Sequence, residues 1–277
     1  MQTSLPKGIF TSQLFRFVIG EAKTEFFLHS ELVECKSKAL GKLVNDASAE
    51  GQQGYIGFRD EDTRTFSAFA DFIYTADYDI PYDLSPPHNG NNSNHRHKEN
   101  CENQARQLEQ PDKDKWGRPE NGHWWNFRLH GEYRNIRRDC PYYLDLPPVG
   151  IPCFNTRSMT TDYSEFFIAH AKVFVFAEHY GVAELMGVSM KKLHVALCTF
   201  ELSEERIEDI LALVCFCYDQ QGAERLKRMV ASYSAAIMDV QVSRQVADGF
   251  QALIKERAEF AADMAWILTC RVLCRMH

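Results

Sequence analysis

The spacing of the apolar residues changes once along this chain, and that change limits the fold more than any other feature does. Within residues 10–80, short runs alternate apolar and polar side chains, as at Phe15, Phe17 and Ile19, and a period of two is typical of a half-buried β-strand. Beyond residue 162 the apolar side chains recur at helical spacing instead. The sequence therefore predicts an α+β fold, with a small β-sheet, flanking helices and an all-helical C-terminal extension.

The N-terminal block carries the signals of a β-hairpin and of several capped helices. Residues 26–28 form the predicted partner strand of the hairpin, and the polar residues 21–24 form its turn. Asp62 is the predicted N-cap of a longer amphipathic helix. The other predicted features are a strand at 55–58, a helix over 31–35 capped by Ser30, a helix over 38–44 capped by Ser37, and a buried stripe of Phe66, Phe69 and Ile73.

The middle of the chain, residues 81–161, is interpreted as an insertion. Residues 85–115 are rich in Asn, His and Pro and offer few side chains for a core, which predicts a flexible surface segment and an early site of proteolysis. Zinc sites usually contain two pairs of closely spaced ligands. Only His95, His97 and Cys101 approach that spacing, and no second pair follows. Polar loop residues are therefore the preferred interpretation, and no metal is predicted.

The last block, from residue 162 onwards, is predicted to be helical throughout. Asp162 and Glu165 resemble a capping box at its start, and Gly181 is placed to end its first helix. Later helices are predicted over about 182–198, from a cap at Ser203, over about 223–240 and over about 243–274. The broad apolar face of the first helix comprises Phe166, Phe167, His170, Val173, Phe174 and Ala177.

Charge and cysteine content narrow the range of partners. A net charge of -7 disfavours direct binding of nucleic acid, which requires a basic face. No apolar stretch reaches the ~20 residues that cross a bilayer, and the N-terminus does not resemble a signal peptide. We therefore expect an intracellular protein, cytoplasmic or nuclear, that does not bind membranes. The nine cysteines are irregularly spaced, and those in apolar helices, such as Cys217, are expected to pack as small hydrophobes.

No arrangement of residues predicts catalysis. Gly-rich phosphate loops, GxSxG elbows and HExxH zinc motifs do not occur in the sequence. Ser189 and Lys192 match SxxK in letters, but without companion motifs they are interpreted as residues on an amphipathic helix. The acidic residues 60–62 are interpreted as helix capping in preference to acid–base chemistry. We expect neither an enzyme nor a cofactor.

Motif residues in several segments follow one another in an informative order. Residues 66–78 are similar to the signature F-x-x-F-L-x-F-x-Y-T-G-x-Y, with Ala76 in place of its glycine, and residues 170–180 are similar to H-A-K-V-Y-x-L-A-x-K-Y. The earlier matching residues are Phe15-Arg16-Phe17-Val18-Ile19-Gly20, Phe27-Leu28-His29-Ser30, Ser37-x-x-Leu40 and Tyr55-Ile56-Gly57-Phe58. In order and spacing these residues resemble the BTB/POZ domain, in the form found in BTB proteins of filamentous fungi.

The resemblance implies a BTB/POZ domain over residues 10–200, interrupted by the insertion at about 81–161, and a helical extension over 201–277. BTB domains act by binding: they self-associate, recruit transcriptional corepressors, or serve as substrate adaptors for cullin–RING ubiquitin ligases. The resemblance thus implies a protein-interaction scaffold that binds protein partners, either as a homodimer or in complex with a cullin. A transcription or chromatin cofactor that acts through BTB self-association is the alternative.

The resemblance also identifies the residues expected to contact a cullin. In cullin adaptors a hydrophobic residue stands two positions before a glutamate, in the loop ahead of the third strand. The corresponding triplet here is Ser48, Ala49 and Glu50, so the glutamate is present but a serine replaces the apolar anchor. A buried anchor often contributes about 2 kcal/mol or more to an interface, and cullin binding is therefore expected to be weakened.

Overall fold

The computed structural model describes residues 12–49, 54–80, 162–200, 206–239 and 244–274. Within these ranges the chain is a mixed α+β protein with one three-stranded sheet and nine helices, which confirms the predicted class. The elements are β1 (Leu14–Ile19), β2 (Thr24–His29), α1 (Ser30–Lys36), α2 (Lys38–Ala49), β3 (Tyr55–Phe58), α3 (Thr63–Thr75), α4 (Ser164–His179), α5 (Ala183–Thr199), α6 (Ile207–Asp219), α7 (Glu224–Asp239), α8 (Arg244–Glu256) and α9 (Ala258–Cys274). The predicted insertion and the predicted cap Ser203 lie outside the described residues.

The chain divides into two compact units. The first comprises Met1–Pro81 and Lys172–Ser189, and the second comprises Tyr82–Ala171 and Met190–His277. The sheet and helices α1 to α3 therefore belong to the first unit. The first unit also contains the part of α4 from Lys172 onwards and the part of α5 up to Ser189. Helices α6 to α9 belong to the second.

The sheet of the first unit has the strand order β2-β1-β3. Strand β1 is antiparallel to β2, with Leu14 opposite His29, and parallel to β3, with Arg16 level with Tyr55. One face of β1 is buried through Phe15, Phe17 and Ile19, as the period of two predicts. The hairpin between β1 and β2 begins at Gly20, whose φ of +69° suits a residue without a side chain.

Of the three predicted caps in the first unit, two are confirmed and one is wrong. Ser37 Oγ accepts the Leu40 N–H at 3.0 Å, and Asp62 accepts a backbone N–H from the first turn of α3 at 3.4 Å. Ser30 is not a cap, because β2 runs into α1 without a loop. His29 still has extended backbone at the N-cap position, and Ser30 is already helical.

The predicted helix end at Gly181 is confirmed. Gly181 has a φ of +67°, and its N–H donates to the Glu178 carbonyl at 3.2 Å. The Val182 N–H donates to the Ala177 carbonyl at 2.7 Å. These two bonds form a Schellman motif, which satisfies carbonyl groups that the end of α4 would otherwise expose.

An aromatic cluster around Phe66 forms the core of the first unit. The Phe66 ring lies 5.3 Å from Phe17, 5.6 Å from Phe69 and 6.0 Å from Phe176. Phe69 in turn lies 5.3 Å from Phe176 of α4. Phe17, Phe66 and Phe69 are fully buried, so α3 packs on the sheet through the predicted stripe and on α4 through the same side chains.

The second unit has an aromatic cluster of its own, where α4 begins. The Phe200 ring lies 5.4 Å from Tyr163 and 5.2 Å from Phe167. Asp162 accepts the Ser164 N–H at 2.9 Å, which caps the start of α4 as predicted. Helix α6 has no exposed side chain from Asp209 to Tyr218.

The predicted single helix over about 243–274 is instead two helices, α8 and α9, separated at Arg257. Phe250 and Phe260 show why the chain bends. Ten residues of straight helix span about 15 Å, whereas these two buried rings stack with centroids 6.5 Å apart. Arg257 donates to Asp219 of α6 at 2.6 Å, which holds the bend from the outside.

Candidate interaction surface

One face of the sheet is open to solvent and carries unusually exposed apolar side chains. This open sheet face consists of the outward residues of the three strands: Leu14, Arg16, Val18, Glu25, Phe27, His29 and Tyr55. Leu14 is 52% exposed and Phe27 is 54% exposed. Exposed apolar side chains that neighbour one another, unlike single ones, often mark a binding surface, and Leu14 and Phe27 are diagonal neighbours on adjacent strands, so this face is the candidate interaction surface.

The polar residues of the open sheet face are held in place by one another. Arg16 lies 3.4 Å from the Glu25 carboxylate, and its guanidinium lies 4.8 Å from the centre of the Tyr55 ring. The first contact is an ion pair and the second is a cation–π contact, and each contributes under about 1 kcal/mol at this exposure. Their effect is positional, because they fix the orientation of Arg16 between two strands.

His29 and Tyr74 join the end of β2 to α3. The Tyr74 hydroxyl oxygen accepts the His29 backbone N–H at 3.2 Å and lies 2.8 Å from His29 Nδ1. Which of the two groups donates in the second contact depends on the tautomer of the His29 ring, because a hydroxyl oxygen can accept two hydrogen bonds. Tyr74 is itself 44% exposed, so its ring extends the apolar surface beyond the sheet.

The outer edge of β2 borders the open sheet face. The Ser30 N–H donates to the Gln13 carbonyl at 3.0 Å, which makes Gln13 and Ser30 a hydrogen-bonded pair. Such pairs alternate along an antiparallel ladder, so the backbone groups of Glu25, Phe27 and His29 point away from β1. Tyr74 accepts the His29 N–H. Within the described part of the chain, the outward N–H and C=O groups of Glu25 and Phe27 have no hydrogen-bond partner.

The triplet predicted to contact a cullin is only partly described. Ser48 and Ala49 lie in the last turn of α2, which continues five residues beyond its predicted end at Val44. Their backbone is therefore helical and does not belong to a loop. Glu50 lies outside the described residues, and the triplet stays a prediction.

The acidic residues 60–62 serve the packing of the first unit. Asp62 caps α3 and lies 3.6 Å from Lys172, while the Tyr180 hydroxyl donates to Glu61 at 3.2 Å. Burial raises the pKa of the Glu61 carboxyl, and the bond from Tyr180 opposes that rise. The interpretation as helix capping is confirmed for Asp62.

The remaining residues with chemical potential are built into helices. Ser189 is fully buried, and its hydroxyl donates to the Met186 carbonyl at 3.0 Å, one turn earlier. Burial raises the pKa of the Cys217 thiol, which is buried in α6 as expected. His170 packs edge-on against Phe166, with ring centroids 4.7 Å apart, and burial lowers its pKa to about 3. His170 is therefore neutral at physiological pH.

Two carboxyl groups lie close together where α4 and α6 begin in the second unit. Asp162 and Asp209 are hydrogen-bonded to each other. Burial and the neighbouring Asp162 together raise the pKa of Asp209 to about 6, against the opposing effect of Arg206. Bonds from Ser164 lower the pKa of Asp162. The pair thus shares a proton below pH 6 and joins two helix starts.

Neither a metal centre nor a membrane span is found in the described ranges. No group of three or more His, Cys, Asp or Glu side chains there is placed to hold an ion. No helix in the same ranges combines the length and the apolar character that crossing a bilayer requires. His95, His97 and Cys101 lie outside these ranges.

The residues that define the open sheet face were not singled out from the sequence, although a signal was present. Phe26, Phe27 and Leu28 are three consecutive apolar residues in a strand, and side chains alternate between the two faces of a strand. If Leu28 faces the core, Phe27 must face outwards. Tyr74 carried no comparable local signal, because its contact with His29 spans 45 positions of the chain.

Comparisons with protein-family models, with curated proteins and with solved structures gave no match for this chain.

Proposed function

We propose that this chain is a protein-interaction scaffold of the BTB/POZ type and that it binds protein partners through its first unit. The observation that carries the proposal is the open sheet face, where Leu14 and Phe27 are each more than half exposed beside the exposed Tyr74. Protein interfaces are enriched in aromatic residues and Arg around an apolar centre. The open sheet face presents that composition, with Arg16 and Tyr55 already oriented by contact with each other.

The arrangement of elements supports the resemblance on which the proposal rests. A small sheet flanked by helices is what a BTB domain implies, and the signature residues Phe66, Phe69 and Phe72 are fully buried on α3. In the second signature segment, Phe174 and Ala177 are buried in α4. The burial of these motif residues supports the resemblance. The domain limits at residues 10–200 and 201–277 stay predictions.

A cullin-linked adaptor is the sharper form of the proposal. Its expected contact residues are Ser48, Ala49 and Glu50, at the end of α2 and beyond it. Leu43, five residues before Ser48 on α2, is 41% exposed, and among the described side chains it is the exposed large apolar residue closest to this triplet in sequence. An exposed leucine beside the docking site would compensate in part for the serine at position 48.

A binding titration tests the adaptor form directly. The purified chain, Ser48→Met and Leu43→Lys are titrated with the N-terminal domain of the BTB-linked cullin. We expect measurable binding that the methionine strengthens about tenfold or more, since an anchor contributing about 1.4 kcal/mol changes affinity tenfold. Leu43→Lys should weaken binding. If none of the three proteins binds, the adaptor form is wrong.

The scaffold proposal as a whole has a separate test. The mass of the chain is measured by sedimentation equilibrium over a wide concentration range. Binding of the cullin N-terminal domain is compared for Phe27→Lys and Leu43→Lys. A chain that stays monomeric throughout and does not bind the cullin would lack both assemblies that the proposal includes. Self-association without cullin binding would instead favour the cofactor alternative within the same family.

A further inference from the structure

We propose that two copies of this chain pair through the outer edges of strand β2, antiparallel, with Glu25 of one copy opposite Phe27 of the other. The proposal rests on the proposed function and deepens it, because it names the surface and the register of self-association. The pairing would join two three-stranded sheets into one six-stranded sheet around a two-fold axis. Identical surfaces meet in such an interface, and each contact therefore occurs twice.

The hydrogen-bonding capacity of the edge determines the register. Glu25 and Phe27 each present one outward N–H and one outward C=O, which gives four groups per copy, while the N–H of His29 is already bound by Tyr74. Only a pairing of Glu25 with Phe27 of the second copy, and the reverse, satisfies all four groups without using His29. The two-fold axis then passes between the two Phe26 residues, which form a non-hydrogen-bonded pair with Cα atoms about 4.5 Å apart.

The side chains of β2 suit this register on both faces. Phe26 is only half-buried, although its ring lies 5.0 Å from Phe66 in the core, and a second Phe26 across the axis would cover its remaining surface. On the open sheet face the two Phe27 rings become diagonal neighbours, within reach of each other at about 7–8 Å between Cα atoms. Both contacts are between aromatic rings, which favour cross-strand pairs.

The charges near the edge allow two copies to approach. The register places the two Glu25 side chains diagonally across the axis, and like charges so placed repel. Arg16 of the same chain lies 3.4 Å from each Glu25 carboxylate, so each copy brings a neutralised pair to the interface. Lys23 lies in the turn before β2 and would stand opposite His29 of the second copy, beyond the paired residues.

The length of the edge limits the strength of the dimer. Stable interfaces bury about 1,200–2,000 Å² in total, and two edges with four hydrogen-bonding groups each bring together only a few residues. We therefore expect a weak dimer whose population depends on concentration. Tyr74 also prevents the edge from lengthening, and a short edge of this kind favours a closed pair over an open aggregate.

The first test is the mass of the full chain as a function of concentration, measured by sedimentation equilibrium for three variants beside the natural sequence. Glu25→Pro removes one outward N–H but leaves the ladder to β1 intact, because the N–H of residue 25 does not pair with β1. Phe27→Lys places a charge on the edge. Leu268→Lys is the control, since it changes an exposed apolar residue of α9 that is not part of the sheet. We expect the natural chain and the control to approach the dimer mass and the two edge variants to stay monomeric.

The second test measures the register. Glu25→Cys and Phe27→Cys chains of different size are mixed under mild oxidation, and the linked peptides are identified by mass spectrometry. Opposite residues in a hydrogen-bonded pair have Cα atoms about 5.5 Å apart, within disulfide range, whereas diagonal residues are about 7–8 Å apart and beyond it. We expect a disulfide between the two variants in the mixture and none between copies of either variant alone. The natural chain controls for its own exposed Cys35.

Three results would overturn the proposal. A natural chain that is monomeric at every concentration rules out the dimer. A dimer that survives both Glu25→Pro and Phe27→Lys uses another surface, which refutes this interface while the scaffold function stands. Disulfides that form in Phe27→Cys alone show a different register. If an edge variant loses the far-ultraviolet circular dichroism of the natural chain, the comparison relies on the other edge variant and on the disulfide test.

Discussion

Gly41 is the position in the first unit where the smallest possible substitution should do measurable harm. It is the fourth residue of α2, and its N–H donates to the Ser37 carbonyl at 2.9 Å. A β-carbon added there would lie 2.7 Å from Cα of Glu34 and 2.8 Å from its Cβ. Since Cα belongs to the backbone of α1, no rotation of a side chain can relieve the contact. The helices α1 and α2 would have to separate.

The size of the effect follows from these distances. Carbon atoms pack best at about 3.5–4.0 Å, so α1 would move outwards by roughly 1 Å, together with the fully buried Leu32 and Val33 beside Glu34. Overpacking of this kind costs about 1–3 kcal/mol. Alanine recovers about 1 kcal/mol through its higher helix propensity. We therefore expect Gly41→Ala to lower the free energy of unfolding by up to about 2 kcal/mol.

A matched substitution at Gly249 separates the cost of overpacking from the gain in helix propensity. A β-carbon at Gly249 of α8 would lie 3.0 Å from Cδ1 of Leu211, the far end of a flexible side chain that can rotate away. Gly249→Ala should therefore retain most of the gain in helix propensity, about 1 kcal/mol. Equilibrium urea unfolding, followed by circular dichroism at the helical band, measures the change in the free energy of unfolding for both substitutions. If Gly41→Ala proves as stable as Gly249→Ala, the close approach of α1 and α2 at Gly41 is wrong.

The other predictions concern the cores and the titrating groups. Phe69→Ala should lower the free energy of unfolding by about 3–5 kcal/mol because the ring is fully buried; an unchanged melting temperature would contradict its place in the core. Ala76 ends α3 with a φ of +60°, so Ala76→Gly should be neutral or raise stability by up to about 1 kcal/mol, and a loss would contradict the left-handed backbone. His170 has its pKa lowered to about 3 by burial, and the unfolded chain then binds the extra proton between about pH 3 and pH 6.5, so stability should fall as the pH is lowered through that window. His170→Leu should make this fall shallower, and parallel pH–stability curves would refute the assignment. Asp209 has the opposite sign: because its folded pKa is raised to about 6, it favours folding below about pH 4 and loses that contribution as the pH rises through 6. Asp209→Asn should therefore stabilise the chain at pH 7.5, by about 1 kcal/mol after allowance for solvent screening, and should do little at pH 4; equal effects at both pH values would contradict it.

Local signals in the sequence were sufficient for most of the strands, the caps and the helix ends. The alternation at Phe15, Phe17 and Ile19 predicts a half-buried strand because one face of a sheet must be apolar to pack. Gly181 and Asp62 are recognisable because helix ends require particular backbone angles and particular side-chain acceptors. In each case the physical requirement is met within a few neighbouring residues, so a local pattern predicts it.

The features that the sequence did not predict depend on contacts between distant residues. Ser30 has the right chemistry for a cap, but it became part of α1 because β2 continues to His29 in pairing with Leu14. Arg257 interrupts a helix without any proline or glycine, because Phe250 and Phe260 stack across the bend. The open sheet face was not predicted for the same reason, since the exposure of Phe27 depends on whether another part of the chain packs against the outer face of the sheet.

The split of the first unit along the chain has a consequence for its synthesis on the ribosome. Phe66 and Phe69 are made early, but Phe176, which packs against both rings, follows only after residues 82–171 of the second unit. At a translation rate of about 5–20 residues per second, these side chains wait on the order of 5–20 s for their partner. During that interval the aromatic side chains of α3 that later pack against Phe176 are exposed to solvent, and the nascent chain is then a substrate for chaperones that bind exposed aromatic segments. Slower translation of residues 82–171 would lengthen this interval and increase aggregation of the newly made protein.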